Sequence, residues 1–412
     1  MSPLATRSQL SDAARITLVA GLLLFVLTIV VGILNGTDVW NPDHDTLIGH
    51  VHAGTLGWIT LGVAGIVFLV FSAGRDVGPA EVRKVRTLAL ALIGAVVLYV
   101  GAFFLGDGLF DDRIQRPIVG TLLFLVVIWF FVWLVGAYRA YETRSAARLG
   151  FVLAWVSLII GSVFGVMLGL YTSNGEIPGL ADKTAAAVAE AHPPAMVIGY
   201  LLLAAFAAIE WLLHDDKGWS RAASIQMWLL FVAGIVINIS FVAGLEEQLA
   251  GPANLLMIAA GGMLLWRSRH LLLPRGWRNA GAGVFPRLSL IFLVAYLALL
   301  TVLVSWIISG TVDFDALTES QEGLLLSFDH TMFIGVMTNV VFGVLAAHLA
   351  FDGRSFANRF LIWGVNVGIL GFAIGLITTT TALKRAFTPL MGAALLVGIG
   401  AYLMQLRSST RS

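Results

Sequence analysis

Histidines are the residues of this chain whose type and spacing best suit a chemical role. Four of the eight histidines stand at the beginnings of long apolar segments: His50, His52, His192 and His330. The last three follow one another at intervals of about 140 residues. Imidazole is the commonest metal ligand among side chains, and ionisable groups within apolar spans face the interior of a helix bundle. The spacing therefore predicts a ligand cluster assembled from three separate segments.

His50 and His52 cannot both face the same bound group. They are two residues apart, so on a helix their side chains point about 200° apart around the axis. We expect one to act as a ligand and the other to support it. The same segment has four glycines, which remove side-chain bulk: Gly54, Gly57, Gly62 and Gly65. Two interpretations of these glycines stay open, because the close neighbour is either a flat macrocycle or another helix.

The other four histidines occupy ordinary structural positions. His214, His270 and His348 close apolar segments, where a helix carboxyl terminus favours a basic side chain. His44 stands in the loop before the second segment. We expect no special role for any of them.

Composition identifies lipid as the main solvent of the chain. Of its 412 residues, 58% are hydrophobic and only 12% are charged, and the mean hydropathy is +0.91. The net charge of +1 gives no general attraction to nucleic acid, so no nucleic-acid partner is expected. The absence of cysteine excludes disulfides, iron–sulfur clusters and covalent c-type haem.

The positions of the apolar segments predict an all-α polytopic membrane protein with about twelve transmembrane helices. Each segment is long enough to cross about 30 Å of hydrocarbon at 1.5 Å per residue. They fall near 14–35, 48–73, 84–106, 116–138, 149–172, 192–213, 222–244, 249–266, 287–310, 325–350, 359–379 and 386–406. The histidines then lie on spans two, six and ten, which predicts three pseudo-repeats of four helices in a single membrane domain.

Loop charges predict the orientation. The loops after even-numbered spans are rich in arginine and lysine: Arg75, Arg83, Lys84, Arg86, Arg139, Arg144, Arg148, Arg267, Arg269, Arg275 and Arg278. The loops after odd-numbered spans are acidic: Asp107, Asp111, Asp112, Glu176, Asp182, Glu190, Asp313, Asp315 and Glu319. By the positive-inside rule the basic loops are cytoplasmic, so both termini are cytoplasmic and the four chosen histidines lie at the outer face. The bacterial inner membrane is the expected location.

One outer loop departs from this charge pattern. The turn between spans eleven and twelve carries Lys384 and Arg385. The two cations either snorkel to the membrane interface or bind something negative there.

Twelve spans with histidines on spans two, six and ten resemble the large subunit of haem–copper oxidases and nitric oxide reductases. The topological match covers the whole chain. In that family, outer-side histidines of spans two and ten hold a low-spin haem, which implies His330 with His50 or His52 as ligands of haem b here. The family also places a basic pair between spans eleven and twelve to hold the haem propionates. The resemblance implies that role for Lys384 and Arg385.

Two short strings add to the resemblance. The oxidases carry a His-Pro-Glu-Val-Tyr motif on span six whose histidine binds the second metal, and this chain begins a similar string at His192-Pro193. The chain is also similar to NnrS-type nitric-oxide-stress haem proteins, whose histidine pairs and later H-x(4)-G-x-M-T-like segment match His50-Val51-His52 and 330–338. The resemblance to these families implies one haem b, or two.

The departures from the family pattern concern the second metal. The paired histidines that the oxidases carry near the outer end of span seven are absent, and Glu246-Glu247 stands there instead. Span ten has one histidine, with Phe328 and Met332 at the flanking ligand positions, and Met196 replaces the tyrosine of span six.

We therefore expect no copper site, because copper suits more nitrogen ligands than one imidazole. Two interpretations of the acidic pair remain. His192, Glu246 and Glu247 hold a non-haem iron, or the two glutamates form a solvated turn.

The sequence thus predicts a b-type haem redox protein of this superfamily, concerned with electron transfer or nitric oxide. A redox partner subunit or a soluble cytochrome would supply its electrons. Whether it is an oxidoreductase with turnover of its own stays open. The alternatives are a secondary transporter and a haem-bearing assembly or scaffold subunit.

Overall fold

The computed structural model describes residues 10–105, 112–142, 145–214, 220–278, 280–313, 316–349 and 351–408, and within these ranges all regular structure is helical. The loop charges Asp107, Asp111, Arg144 and Asp315 lie outside the described residues.

Twelve helical segments are long and apolar enough to span a membrane, which confirms the predicted fold class. They run Ser11–Gly36, His44–Val70, Pro79–Phe104, Gln115–Arg139, Ala146–Ser173, Asp182–His214, Arg221–Ala243, Glu246–Leu272, Gly281–Ser309, Glu319–His348, Phe356–Ile377 and Thr381–Arg407. We number them as spans one to twelve. Span two begins at His44, so that histidine lies on the helix and not in the loop before it. Span six begins ten residues before His192, because the helix Asp182–Glu190 precedes the His192-Pro193-Pro194 turn.

The most buried spans are the three that carry the histidines, and like them they recur every fourth span. The apolar windows of spans two, six and ten are 89%, 78% and 83% buried, whereas those of the other nine are 33–56% buried. A span that neighbouring helices cover on most sides can carry ionisable groups without exposing them to lipid. The three histidine-bearing spans are therefore the ones best suited to hold a polar site.

Each of these three spans contains a π-helical segment directly after its histidine. The segments are Ala53–Thr60, Ala195–Leu201 and Thr331–Thr338. In a π-helix the backbone bonds reach the fifth residue, and such segments are frequent at functional sites. Thr60 and Thr338 match this geometry, because the hydroxyl of each donates to the carbonyl five residues earlier at 2.8 Å.

The chain divides into two compact units. The first unit comprises Met1–Val82, Arg267–Leu299 and Asp313–Ser412, and the second comprises Arg83–Trp266 and Leu300–Val312. The second unit holds spans three to eight and the end of span nine. Span five packs there against spans four, six and seven, and the ring of Trp155 stacks on Phe130 with centroids 4.1 Å apart.

Five spans of the first unit form a closed ring of neighbours. Span one packs on span two, span two on span ten, span ten on span eleven, span eleven on span twelve, and span twelve returns to span one. Spans two and ten meet at their π-helical segments, where the Trp58 indole donates to the Thr338 hydroxyl at 2.9 Å. Trp58 also stacks on Phe25 of span one at 4.7 Å. The histidines of spans two and ten thus stand on two neighbouring spans of this ring.

A stripe of glycines brings span eleven close to span twelve. A Cβ added at Gly368 would lie 2.6 Å from the Cβ of Met391 and within 3.0 Å of its backbone. Small residues at such positions let membrane helices pack closely. The contact between the last two spans therefore depends on residues without side chains.

We predict that Gly368→Ala lowers the thermal stability of the purified protein. Overpacking against a fixed backbone costs about 1–3 kcal/mol, so the melting temperature measured by tryptophan fluorescence should fall by several degrees. Gly400→Ala is the matched control on span twelve, because a Cβ there meets nothing within 4 Å. Equal melting temperatures for the two variants would contradict the close approach.

Candidate functional site

All five residues expected to bind a cofactor lie in the first unit. They are His50 and His52 on span two, His330 on span ten, and Lys384 and Arg385 on span twelve. Each span is part of the closed ring of five. The unit therefore brings together, on one set of neighbouring helices, residues that are more than 300 positions apart in the sequence.

His330 presents one ring nitrogen as a potential ligand. Its Nδ1 lies 2.7 Å from the carbonyl oxygen of Leu326, one turn earlier on the same helix. A carbonyl oxygen only accepts hydrogen bonds, so Nδ1 carries the proton and donates it. In the neutral imidazole, Nε2 then keeps its lone pair, which is the arrangement that metal-bound histidines adopt. The ring also packs edge-on against Phe372 of span eleven, with centroids 5.1 Å apart.

The same tautomer recurs on the other two histidine-bearing spans. The Nδ1 of His52 lies 2.9 Å from the carbonyl of Ile48, and the Nδ1 of His192 lies 2.8 Å from the carbonyl of Gly161 on span five. Each ring is held by its Nδ1, so in the neutral imidazole the lone pair of each lies on Nε2. The three repeats thus share an imidazole orientation as well as a topological position.

His50 lies on the side of span two that packs against span one. A Cβ added at Gly32 of span one would come 3.2 Å from the His50 Cε1. Spans two and ten pack together at the π-helical segments that follow His50 and His330. The His50 Nδ1 is buried without a hydrogen-bond partner among the described residues. A buried nitrogen in that state costs free energy unless something else satisfies the ring.

The glycines of span two let neighbouring helices pack closely against it. Added Cβ atoms at Gly57 and Gly65 would come within 3 Å of Leu24 and Leu18 of span one, and one at Gly62 would meet Val341 of span ten. Of the two interpretations that the sequence left open, the structure favours helix packing at these positions.

The basic pair binds an acidic partner that the sequence analysis missed. The Lys384 Nζ and the Arg385 Nε lie 2.8 Å and 2.9 Å from the two carboxylate oxygens of Asp38, in the loop between spans one and two. These two hydrogen bonds lower the pKa of Asp38. Lys384 and Arg385 stand in the first turn of span twelve and not in the preceding loop, which corrects the expected position.

Span one connects this ion-pair cluster to the histidines. Its Gly32 faces the His50 ring, its Gly36 faces the Thr388 side chain of span twelve, and Asp38 follows directly after the helix. The cluster and the histidine thus lie within two helical turns along span one. Asp38 adopts a left-handed backbone conformation, with φ of 56°, which an aspartate tolerates better than most residues. In the sequence, the only indication of this acidic partner is that an aspartate follows the last glycine of span one.

The ligands expected for a non-haem iron are not grouped as a metal site. Among the described residues, no group of three or more His, Asp or Glu side chains could hold a metal ion. Glu246 and Glu247 form the first turn of span eight, where acidic side chains favour the positive end of the helix dipole. They do not end span seven, as the sequence analysis had expected. Glu247 is exposed, which favours the solvated-turn interpretation.

Two aromatic rings fill the neighbourhood of Phe328. This residue stands two positions before His330, and its ring stacks on Tyr296 of span nine with centroids 4.6 Å apart. Tyr296 is fully buried, and its hydroxyl has no partner among the described residues. Packing by aromatic rings thus occupies the place where the resemblance would put a second axial ligand on span ten.

Comparison with known proteins identified no relative of this chain. No model of a known protein family matches the chain, and no curated protein matches it.

We predict that Asp38→Asn lowers the melting temperature slightly at pH 7, by about 2 °C or less, because exposed ion pairs contribute little. Asp182→Asn, an exposed aspartate at the start of span six, is the control. The pKa of Asp38 is lowered from 3.8, so the ion pairs contribute above that value and are lost as the pH falls through the folded-state pKa. The difference between wild type and variant should therefore vanish in strong acid. A difference that grew on acidification would contradict the assignment.

Proposed function

We propose that this chain is a b-type haem-binding integral membrane protein that transfers electrons at its outer face. The observation that carries the proposal is the pair His50 and His330. Each stands within three residues of the π-helical segments at which spans two and ten pack together in a closed ring of five spans, and Nδ1 of His330 is already used by a carbonyl. Two imidazoles from facing helices are the ligand set of a low-spin b-type haem.

The residues present fit such a group in three respects. The buried Nδ1 of His50 has no hydrogen-bond partner among the described residues, so this nitrogen is the one left to hold an iron. Aromatic packing from Phe372 gives one side of the His330 ring an apolar contact. The absence of cysteine is compatible with non-covalent haem b and not with c-type attachment.

The bound haem would supply one-electron redox chemistry. If His50 and His330 both held the haem iron, they would leave no place on it for a diatomic ligand, so this pair favours electron transfer over direct handling of nitric oxide. Reduction of nitric oxide in the related families uses a second metal. The residues expected to hold one here, His192, Glu246 and Glu247, do not form a metal-binding group.

Lys384 and Arg385 would set the electrostatics of the site. Two cations against the single carboxylate of Asp38 leave one positive charge at the outer ends of spans one and twelve. Positive charge near a haem propionate holds the cofactor and favours the reduced state of the iron. Asp38 keeps both side chains extended towards the end of span one.

The sidedness of the site follows from the loop charges. The arginine-rich loops would be cytoplasmic by the positive-inside rule, which puts the histidines and the basic pair at the outer face of a bacterial inner membrane. The electron donor would be a partner subunit or a soluble cytochrome on that side. A secondary transporter is the less supported alternative, because transporter sites lie near the bilayer midplane and these groups lie at span ends.

We predict that the purified protein gives a b-type pyridine haemochrome, and that His330→Ala and His50→Ala each abolish the low-spin absorbance bands. His52→Ala is the matched control, because His52 is two residues away on the same helix and its side chain points about 200° away from that of His50. It should keep the bands. A colourless protein from cells with ample haem would refute the proposal. Loss of the bands in His52→Ala but not in His50→Ala would show that His52, and not His50, is the ligand.

We predict that Lys384→Gln with Arg385→Gln lowers the haem reduction potential and weakens haem retention while the low-spin bands remain. Removing positive charge favours the oxidised iron but leaves both axial imidazoles in place. Arg83→Gln with Lys84→Gln, two exposed cations at the start of span three, is the control and should leave the potential unchanged. Redox titration measures both. An unchanged potential in the first variant would place the pair away from the propionates.

A further inference from the structure

A groove of about 410 Å³ lies at the start of span eleven, at the end of the first unit opposite to the histidines. It is lined by two arginines and three aromatic residues: Arg354, Phe356, Arg359, Phe360 and Trp363. None of these residues belongs to the candidate site.

The aromatic residues and one arginine of the groove form a stripe on one helix face. Phe356, Arg359, Phe360 and Trp363 are spaced three and four residues apart, so they are neighbours on the helix surface. The rings of Phe356 and Phe360 stack with centroids 5.5 Å apart. Phe356 is 76% exposed and Trp363 is 65% exposed. Exposed aromatic rings near the end of a membrane span belong to the layer where headgroups meet acyl chains.

The two arginines of the groove have unmatched charge. Both Arg354 and Arg359 are exposed, and within the described part of the chain neither guanidinium forms an ion pair or a hydrogen bond. The carboxylate of Asp352, two residues before Arg354, accepts the backbone N–H of Arg354 at 2.9 Å. Guanidinium groups bind phosphate oxygens through two parallel hydrogen bonds.

The rim of the groove is held in position by its own hydrogen bonds. The buried Asn358 side chain donates to the carbonyl of Asp352 at 2.8 Å, and its backbone N–H donates to the Ser355 hydroxyl, which caps the helix. The loop and the first turn of span eleven are thus tied together without a ligand. A preorganised site loses less conformational freedom on binding.

We propose that this groove binds an anionic phospholipid. Arg354 and Arg359 would hold the phosphate diester, and Phe356, Phe360 and Trp363 would pack against the glycerol and the upper acyl chains. A free phosphate ion would use the arginines alone and would leave the aromatic wall without a role. Phe356 and Trp363, which line the groove, are largely exposed near the end of a membrane span, so a lipid is the occupant that matches both the arginines and the rings. This inference does not rest on haem binding.

The test is native mass spectrometry of the full-length purified protein titrated with phosphatidylglycerol. The test variant is Arg354→Gln with Arg359→Gln. The control is Arg83→Gln with Lys84→Gln, which removes two exposed cations from the start of another span on the same face. We expect the first phosphatidylglycerol to bind at least about tenfold more weakly to the test variant and within about twofold of wild type to the control.

Three further arms separate the possible occupants. Phosphatidylcholine should bind wild type more weakly than phosphatidylglycerol does, Trp363→Leu should weaken phosphatidylglycerol binding, and millimolar inorganic phosphate should not displace the lipid. If the glutamine double variant does not fold, Arg354→Lys with Arg359→Lys takes its place as the test variant, because it keeps both positive charges. It should bind phosphatidylglycerol with an affinity between those of the wild type and the glutamine double variant.

The proposal fails if the control loses as much affinity as the test variant, because binding would then reflect the general charge of that face. It also fails if phosphatidylcholine binds as tightly as phosphatidylglycerol. Displacement by inorganic phosphate together with no effect of Trp363→Leu would make the groove a site for free anions.

Discussion

The hydrogen bond from a histidine Nδ1 to a backbone carbonyl is the contact on which the histidine geometry of spans two, six and ten depends. It fixes the tautomer and the ring direction of His52, His192 and His330. For His52 and His330 the acceptor belongs to the same helix, so the ring position follows from the helix itself. For His192 the acceptor lies on span five, so its ring position depends on how two helices pack. His50 lacks this bond, and its direction is set instead by the gap that Gly32 leaves on span one.

Much of the fold could be predicted because the hydrocarbon layer imposes a simple length requirement. Every span was predicted, since each needs about 20 apolar residues and the loops are short and charged. The even spacing of the histidines also indicated which spans are most buried, because an ionisable side chain in lipid must turn towards protein. Details at helix ends were less accurate. Lys384 and Glu246 were expected beside helices and instead lie in their first turns, where hydropathy gives no signal.

The π-helical segments and the acidic partner of the basic pair could not be predicted. A π segment depends on one inserted residue, which leaves the apolar pattern of a wholly buried span unchanged. Spans two and ten do share the string His-x(4)-Gly-x(2)-Thr, from His52 to Thr60 and from His330 to Thr338, and both threonines bond the carbonyl five residues back. Comparing the spans with one another would have shown this equivalence. Asp38 meets Lys384 only because spans one and twelve are neighbours, which no local pattern encodes.

The closed ring of five spans has a consequence for the order of assembly. Its final seam joins span twelve to span one, which the ribosome delivers eleven spans apart. Until span twelve arrives, the inner faces of spans one, two, ten and eleven are open to the bilayer on one side. These faces are therefore more accessible during synthesis than after the glycine-lined contact between spans eleven and twelve is complete. Once the seam closes, Asp38 with Lys384 and Arg385 fastens its outer end.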